Sequence, residues 1–306
     1  MNEPGTIEDL ELHFAATTPF SRAKHGFKWV NERETVIAGF PLDITSTYRP
    51  GCRFGPREIR EASHNLEPAS IRLNTTVEGA AYTDLGDLEI FSLDMVTALK
   101  LIRTVTIPIR EHGNTLIALG GEHSITASLV PREKDVGIIV LDAHLDLRDN
   151  YMGSTHSHAC INRRLIEFCG DNNILILGWR ACCREEINFL KEHRINNIPS
   201  SWFKNSKARE KAFSSLSNFM DSHDGIYLSV DMDVFDPAYA PGVANPEPGG
   251  LTPLVVLDIL ANMKGQNLVG ADIVEVSPAH DHGQAAMLAA RIAMEILNLK
   301  QGIPLF

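Results

Sequence analysis

The sequence predicts an α/β protein built on a doubly wound parallel sheet, and two repeating patterns support this prediction. Short apolar runs rich in Val, Ile and Leu recur at residues 35–40, 115–120, 136–141, 173–178, 225–230 and 268–276. They are apolar nearly throughout instead of alternating, which is typical of strands buried on both faces of a parallel sheet. Stretches with helical periodicity lie between them, at 94–112, 158–169, 183–194, 252–264 and 284–299. Strand followed by helix, repeated, indicates right-handed βαβ units.

Length and composition are consistent with one domain. The chain has 306 residues, of which 44 % are hydrophobic and 22 % charged, as is ordinary for a globular enzyme. No Ser/Gly-rich linker, low-complexity tract or internal repeat divides the sequence, so we expect a single domain over residues 1–306. The net charge of −11, without a basic block, argues against nucleic acid and membranes as partners and is compatible with a cationic substrate.

The sequence also gives expectations about the cellular compartment. The segment "MNEPGTIEDLEL" has neither the basic flank nor the apolar core of a signal peptide. No apolar run approaches the ~20 residues needed to cross a bilayer. The five cysteines are odd in number and show no repeated metal-binding spacing. We therefore expect reduced thiols and a cytoplasmic protein.

Polar side chains follow three of the predicted strands directly, and an acidic residue ends a fourth. "GGEHS" follows strand 115–120, "DAHLD" follows 136–141, "DMD" follows 225–230, and Glu275 lies at the end of 268–276. Side chains two apart in an extended chain point the same way, and ligands bind at the carboxyl ends of strands in such sheets. We therefore expect six side chains to converge on one centre: His123, Asp142, His144, Asp146, Asp231 and Asp233.

This combination of residues indicates a metal centre. Clustered carboxylates without counter-charges would repel one another and would be costly to desolvate. Carboxylate and imidazole ligands without thiolate suit Mn²⁺, with Zn²⁺, Fe²⁺ or Co²⁺ as possible substitutes. Six ligands are more than one ion needs and suit two ions roughly 3.5 Å apart. A single DxD or DxH motif is usually a solvated turn or a helix cap. The combination of GGEHS, DAHLD and DMD, each at the end of a predicted strand, instead predicts two Mn²⁺ per chain.

The motifs "GGEHS", "DAHLD", "SVDMDVFDP" and "DIVEVSP" together resemble the signature of the ureohydrolases, the arginase and agmatinase family. The resemblance extends from "GFPLDITSTYRPGCRFGPREIREAS" (39–63) to the C-terminal helix. It implies an arginase-like, three-layer α/β/α fold, a dimanganese centre, hydrolysis of a guanidino group to urea, and a homo-oligomer, either a trimer or a hexamer. It also implies that His123, Asp142, Asp146 and Asp231 bind one or both metals, with His144 and Asp233 completing the set.

The chemistry of this reaction calls for further groups. The guanidinium carbon is a poor electrophile, so attack needs a hydroxide, which two cations make available by lowering the pKa of a water between them. A general acid must protonate the leaving amine, and a carboxylate should hold the planar guanidinium. Glu275 matches the substrate-holding glutamate of the family, although a structural salt bridge is an alternative. His158, in an "SHA" context, is the expected proton shuttle in preference to His156, and we place Asp146 in the catalytic set as well.

The substrate is less well defined by the sequence. Arginases usually carry an asparagine where this chain has Arg148, whereas "SHACINRR" and "NPEPGG" look more like microbial agmatinases. Agmatine ends in an amine, so we expect Asp149 or Glu247 to receive it near the pocket mouth. Arg148 should then pair with an acidic neighbour; if it points inward, a guanidino acid such as guanidinobutyrate becomes attractive. Arginase activity, a mononuclear zinc amidohydrolase of the deacetylase type and an inactive oligomeric scaffold are the remaining alternatives.

Overall fold

The structure is a computed structural model that describes residues 6–90, 92–132 and 135–306. Its strands in chain order are β1 (Phe14–Ala15), β2 (Lys24–His25), β3 (Thr35–Phe40), β4 (Ala69–Ser70), β5 (Thr75–Thr76), β6 (Tyr82–Leu88), β7 (Thr115–Gly120), β8 (Val136–Leu141), β9 (Ile174–Leu177), β10 (Asn196–Ile198), β11 (Gly225–Asp231), β12 (Leu268–Val274) and β13 (Ile303–Pro304). Its α-helices are α1 (Gly55–Ser63), α2 (Met95–Glu111), α3 (Thr126–Leu129), α4 (Ile161–Cys169), α5 (Arg184–Glu192), α6 (Ser206–Asp221), α7 (Pro253–Asn262) and α8 (Gln284–Gln301).

The large sheet is almost entirely parallel. Its strands follow the order β1-β6-β3-β7-β12-β11-β8-β9-β10, and β2 also pairs with β6. Only the β1–β6 pairing in this sheet is antiparallel among the described residues. A separate small sheet has the order β13-β5-β4. Strands β7, β12, β11 and β8 are adjacent, so the segments that follow them share one stretch of the carboxyl edge.

Helices cover both faces of the sheet. Along β7, Ile117 and Leu119 pack into a core with α1, α6, α7 and α8. The alternate residues Leu116 and Ala118 pack into a second core with α2, α3, α4 and α5. Because both faces are buried, the strands need apolar residues at every position, which explains the runs in the sequence. This confirms the predicted α/β fold with a mostly parallel central sheet flanked by helices.

Local signals fix where several helices begin. The side chains of Asp94, Asn205 and Thr252 each accept a hydrogen bond from the backbone N–H three residues later, and α2, α6 and α7 begin at the next residue. Such a cap satisfies one of the backbone donors that a first helical turn leaves free. Within the described ranges, no helix has both the length and the apolar character needed to span a membrane.

Most predicted elements are present, and the missed ones have a common cause. Strands β3, β7 and β8 coincide with the predicted runs, and the five predicted helices are found, the one at 158–169 starting with a 3₁₀ turn. The apolar patterns predict no strand at β6 and no helix at α1 or α6. Strand β6 carries Asp84 and Asp87, which interrupt the apolar pattern. These elements are held by polar contacts or bury only a narrow apolar face.

Arg60 of α1 forms a buried ion cluster with Asp84 and Asp87 of β6, which we call the Arg60 cluster. Its Nε and Nη2 lie 2.8 and 2.9 Å from the two Asp84 carboxylate oxygens, and its Nη1 lies 2.5 Å from Asp87 Oδ1. Nη2 also donates to the Gly86 carbonyl at 3.0 Å. A Cβ atom on Gly39 would lie only 1.8 Å from Asp87 Oδ1, so the cluster also requires a glycine beside it. The cluster ties α1 to the sheet.

Candidate metal centre and active site

A cavity of about 290 Å³ opens at the carboxyl edge of the sheet, where β7, β12, β11 and β8 end. Two of the predicted ligands, His123 and Asp142, are fully buried at this edge. Six further predicted site residues line the cavity: His144, Asp146, His158, Asp231, Asp233 and Glu275. The structure therefore brings together side chains from four different strand ends.

The first potential metal position lies among His123, Asp142 and Asp231. His123 Nδ1 is 3.2 Å from Asp142 Oδ2 and 3.2 Å from Asp231 Oδ2. One ligand atom from each of the three residues lies within 4.8 Å of the others. His123 Nδ1 and Asp142 Oδ2 are buried and have no hydrogen-bond partner. Buried polar atoms in native proteins are nearly always satisfied, so these two atoms fit a bound cation.

The second potential position lies among Asp142, His144 and Asp233. His144 Nδ1 is 3.0 Å from Asp233 Oδ2 and 3.5 Å from Asp142 Oδ1. Asp142 belongs to both groups, so its carboxylate could bridge two neighbouring ions. Asp146 stands beside the first group, with Oδ2 3.8 Å from His123 Nδ1, and its φ of +47° is unusual for a residue other than glycine. Five of the six predicted ligands thus form two overlapping groups that share Asp142, and Asp146 lies beside the first group.

The backbone holds three of these carboxylates in the same way. Asp142 Oδ1 accepts a hydrogen bond from the His144 N–H at 2.6 Å, and Asp231 Oδ1 accepts one from the Asp233 N–H at 2.8 Å. Asp233 Oδ1 accepts a hydrogen bond from the Ala143 N–H at 3.0 Å. In each case Oδ2 remains directed at a histidine of the cluster. One oxygen therefore fixes the carboxylate, and the other is available as a ligand.

A chain of hydrogen bonds holds the ring of His123 at Nε2, the nitrogen opposite the one that faces the carboxylates. His123 Nε2 lies 3.0 Å from Ser229 Oγ, and Ser229 donates to Asp272 Oδ1 at 2.6 Å. Tyr227 donates to the other Asp272 oxygen at 2.7 Å. Because the only hydroxyl proton of Ser229 goes to Asp272, its oxygen accepts from His123 Nε2–H. In the neutral ring the lone pair is then on Nδ1, the atom that faces the carboxylates.

The electrostatics of the cluster also fit cations. Burial alone would lower the pKa of His123, but the carboxylates of Asp142 and Asp231 outweigh it and raise that pKa well above its usual range. Burial, with the charge of neighbouring Asp142, raises the pKa of Asp146 well above its usual range. Carboxylates crowded in this way require positive charge, which two divalent ions would supply. Oxygen and imidazole ligands without thiolate match the preference of Mn²⁺.

Glu275 follows β12 with a φ of +66° and one carboxylate oxygen without a partner. Its Oε1 accepts a hydrogen bond from the His123 N–H at 2.7 Å, whereas Oε2 is buried and unbonded. Burial raises the pKa of Glu275 to about 8. None of its contacts in the described residues is an ion pair, so the salt-bridge alternative has no support there. A buried acceptor of this kind can bind a cationic group.

His158 and His156 have very different surroundings. His158 is buried, lines the cavity and packs edge-on against Tyr151, with ring centroids 6.3 Å apart. Burial, followed by the charges of His123 and His144, lowers the pKa of His158 to about 4. His156 is exposed, and its backbone N–H donates to Ser154 Oγ. Only His158 of this pair is placed to exchange a proton within the cavity.

Asp149 and Glu247, the two acids expected to receive the substrate amine, do not line the cavity. Asp149 is exposed and accepts a hydrogen bond from Arg164 Nη2 at 2.6 Å. Glu247 contributes its backbone carbonyl, which accepts hydrogen bonds from Arg180 at 2.6 and 3.1 Å. Both acids follow the ligand motifs in sequence, but the chain has turned away from the cavity before it reaches them. Neither residue is therefore part of the cavity lining in the structure.

Arg148 lines the cavity and also faces an acidic neighbour. Its Nε is 3.9 Å from Glu186 Oε2, and its guanidinium carbon lies 4.6 Å from the centre of the Tyr151 ring. Glu186 is buried, lines the cavity and accepts hydrogen bonds from the backbone N–H groups of Leu147 and Cys183. The positive charge of Arg148 is thus partly balanced before any substrate binds.

Two residues near the site were missed from the sequence. Glu122, next to His123, is fully buried and accepts hydrogen bonds from the Ile44 and Thr45 N–H groups and from the Thr45 and Ser124 hydroxyls. Burial raises the pKa of Glu122, and these hydrogen bonds act against that rise. The "GGE" spacing placed it at the strand end, but nothing in the sequence indicated its partners in the 43–47 loop.

Arg180 is the second missed residue. It donates hydrogen bonds to the carbonyls of Asp233 at 2.7 Å, Phe235 at 3.1 Å and Glu247 at 2.6 Å. Arg180 therefore ties the Pro/Gly-rich segment 236–250 to the backbone of a predicted metal ligand. The only sequence signal was its position directly after the apolar run 173–178.

Comparison with known proteins identifies the family. The Arginase family model matches residues 33–298. The chain is 34 % identical over 275 residues to an agmatinase of Bacillus anthracis, covering 87 % of this chain and 91 % of that relative. It is 31 % identical over 287 residues to a guanidinobutyrase of Pseudomonas aeruginosa, covering 88 % and 87 %.

The fold gives the same result. The solved structure of the agmatine ureohydrolase of Thermoplasma volcanium superposes with a TM-score of 0.83 at 33 % identity, covering 96 % of this chain and 97 % of that one. These matches confirm the resemblance that the four sequence motifs indicated, and they confirm the arginase fold. The chain therefore belongs to the arginase family and is a ureohydrolase, a hydrolase that acts on the C–N bonds of guanidino groups.

Proposed function

We propose that this chain is a binuclear manganese enzyme that hydrolyses agmatine to urea and putrescine. The observation that carries the proposal is the pair of carboxylate–imidazole groups sharing Asp142, directly beside the unbonded Oε2 of Glu275. Two ions and one guanidinium would satisfy the three buried atoms of this site that have no hydrogen-bond partner, which are His123 Nδ1, Asp142 Oδ2 and Glu275 Oε2. The proposed ligands are His123, Asp142, His144, Asp146, Asp231 and Asp233.

The bound ions would lower the pKa of a water molecule so that a nucleophile exists at neutral pH. Glu275 binds the guanidinium through Oε2, and the backbone of His123 holds its other oxygen in place. His158 carries a proton to the leaving amine, which is otherwise a poor leaving group. Asp146 completes the catalytic set as a ligand beside His123.

The role of His158 is tested by a matched pair of variants. We expect His158→Asn to lower turnover by roughly 10²–10⁴-fold, the usual effect of removing a general acid, with Mn²⁺ content retained. His156→Asn should leave turnover close to that of the wild type because His156 is exposed. A reversed result would move the shuttle to His156.

Agmatine is supported as the substrate by the agmatinase relatives and by the surroundings of Arg148. Because Arg148 faces Glu186 and the Tyr151 ring, its charge does not call for a substrate carboxylate. Arginine would bring such a carboxylate into the cavity, and a poorly paired buried carboxylate costs about 3 kcal/mol or more, or about 10²-fold in specificity. We therefore expect urea release from agmatine to exceed that from arginine by about 10²-fold or more.

A guanidino acid such as guanidinobutyrate is the second candidate because Arg148 does line the cavity. Measuring urea release from agmatine, guanidinobutyrate and arginine by the Mn²⁺-loaded wild type and Arg148→Ala separates the two. If agmatine is the substrate, it is preferred by the wild type, and guanidinobutyrate stays poor in both proteins. A wild-type preference for guanidinobutyrate that Arg148→Ala abolishes would replace agmatine by a guanidino acid.

Metal stoichiometry tests the binuclear centre. Purified protein should hold close to two Mn²⁺ per chain, whereas a single bound zinc ion would favour an amidohydrolase of the deacetylase type.

We further propose, from the family resemblance, that residues 1–306 act as one domain in a cytoplasmic trimer or hexamer. Light scattering of the purified protein measures the number of chains in this assembly.

A further inference from the structure

Three hydrogen-bonding groups meet at the hydroxyl of Thr45. The backbone N–H of His158 donates to Thr45 Oγ1 at 3.0 Å, and His158 Nδ1 lies 3.1 Å from the same oxygen. Thr45 Oγ1 is also 2.9 Å from Glu122 Oε1. Thr45 therefore contacts both the ring and the backbone of the proposed proton shuttle.

These contacts determine where the protons are. A hydroxyl has one proton and two lone pairs. The His158 N–H can only donate, so it uses one lone pair, and the Glu122 carboxylate can only accept, so it takes the proton. The remaining lone pair of Thr45 can only be filled by a proton on His158 Nδ1. The neutral ring then carries its own lone pair on Nε2.

We propose that Glu122 and Thr45 are positioning residues that hold His158 as the Nδ1–H tautomer, so that Nε2 is the atom that exchanges protons with the substrate. The inference rests on the proposed role of His158 as proton shuttle. The tautomer is decisive because an imidazole with its proton on Nε2 cannot accept one there. Neutral histidine in water favours the Nε2–H form, so the protein has to impose the other one.

The same carboxylate also fixes the loop that carries Thr45. Glu122 Oε2 accepts hydrogen bonds from the Ile44 and Thr45 N–H groups, both at 2.6 Å. Because Glu122 directly precedes His123, one short segment places a proposed metal ligand and, through Thr45, the shuttle. Burial of His158 lowers its pKa and so favours the neutral ring, the form in which the choice of tautomer matters.

The first test reads the tautomer directly. Protein labelled with ¹⁵N-histidine and loaded with Zn²⁺, which is diamagnetic, gives ¹⁵N shifts that distinguish protonated from unprotonated ring nitrogens. The His158 signals are those that disappear in His158→Asn. We expect Nδ1 protonated and Nε2 unprotonated in the wild type and in Thr45→Ser, and the opposite or a mixture in Thr45→Val. A wild-type His158 with its proton on Nε2 would overturn the proposal, since Thr45 would then donate to the ring and Glu122 would be protonated.

The second test measures the effect on catalysis. Thr45→Val removes the hydroxyl at nearly constant shape, and we expect kcat to fall about 10–10²-fold, less than the loss of His158 itself, with KM and Mn²⁺ content unchanged. Thr45→Ser restores the hydroxyl and should recover kcat to within about threefold of the wild type. Wild-type kcat in Thr45→Val, or equal losses in both variants, would refute the proposal. A wild type that releases no urea from any guanidine would refute the proposed function instead, and the NMR result would still decide the tautomer.

Discussion

The Arg60 cluster and the candidate metal centre are both buried groups of aspartates, but they differ in how their charges are balanced. In the Arg60 cluster, one guanidinium lies between two carboxylates, and backbone N–H groups of Phe20 and Gly86 fill further positions on Asp84. In the candidate metal centre, the aspartates face two histidines, and buried atoms of His123 and Asp142 have no hydrogen-bond partner. One cluster is complete within the chain, and the other is not.

The difference separates a structural role from a functional one. A buried ion cluster that satisfies all its members holds elements together, and removing one partner is strongly destabilising. A cluster with excess negative charge and unbonded buried atoms has the features of a site that a group from outside the chain completes. Burial and charge alone do not distinguish the two clusters. The buried atoms that have no hydrogen-bond partner do distinguish them.

The largest expected effect comes from removing the shared ligand. Asp142→Ala should abolish urea release and bring Mn²⁺ well below two per chain, while the circular dichroism spectrum stays that of a folded protein. Mn²⁺ at about 1,000 times its Kd should stabilise the wild type by about 4 kcal/mol and Asp142→Ala by much less. Asp221→Ala, at an exposed aspartate on α6, is the control and should behave like the wild type. A metal-free preparation with full activity would contradict the two-metal centre.

The Arg60 cluster should respond in the opposite way. Arg60→Met keeps the volume but leaves the buried Asp84 and the half-buried Asp87 without a counter-charge, so we expect the free energy of unfolding to fall by about 3–5 kcal/mol. The folded fraction should still bind the same number of Mn²⁺ ions. Arg57→Met is the matched control on α1, because Arg57 is exposed and forms an exposed ion pair with Glu61. Urea denaturation measures both variants, and equal small losses would show that the Arg60 cluster is not structural.

The two clusters also differ in how far they can be predicted from the sequence. Five of the proposed metal ligands lie two apart directly after apolar strands, so strand geometry predicts that their side chains converge. Arg60, Asp84 and Asp87 meet only because α1 packs against β6, and no local pattern indicates this contact. The same limit applies to Thr45, Glu122 and Arg180, whose partners are distant in sequence.

The absence of Asp149 and Glu247 from the cavity lining has a related cause. Both residues were expected near the site because they lie close in sequence to the ligand motifs. Side chains alternate in direction regularly only where the backbone is extended, and the backbone of Asp146 is left-handed, with a φ of +47°. Beyond that turn, Asp149 pairs with Arg164 on α4 instead of facing the cavity. Turns at functional sites are therefore where sequence spacing stops predicting side-chain direction.

The smallest effect on the candidate metal centre is expected from Ser229, which connects the ring of His123 to the hydrogen bonds of Asp272. Ser229→Ala removes the acceptor for His123 Nε2–H, so the ring loses the contact that keeps the Nδ1 lone pair directed at the metal. Loss of such a partner typically weakens metal affinity by about 10–100-fold. Titration of the metal-free protein with Mn²⁺ measures this change. Tyr227→Phe, which removes only the far hydrogen bond to Asp272, should weaken affinity less. If Ser229→Ala binds Mn²⁺ as tightly as the wild type, the carboxylates alone hold the ring of His123 in place. The hydrogen bonds among Ser229, Asp272 and Tyr227 then have only a structural role.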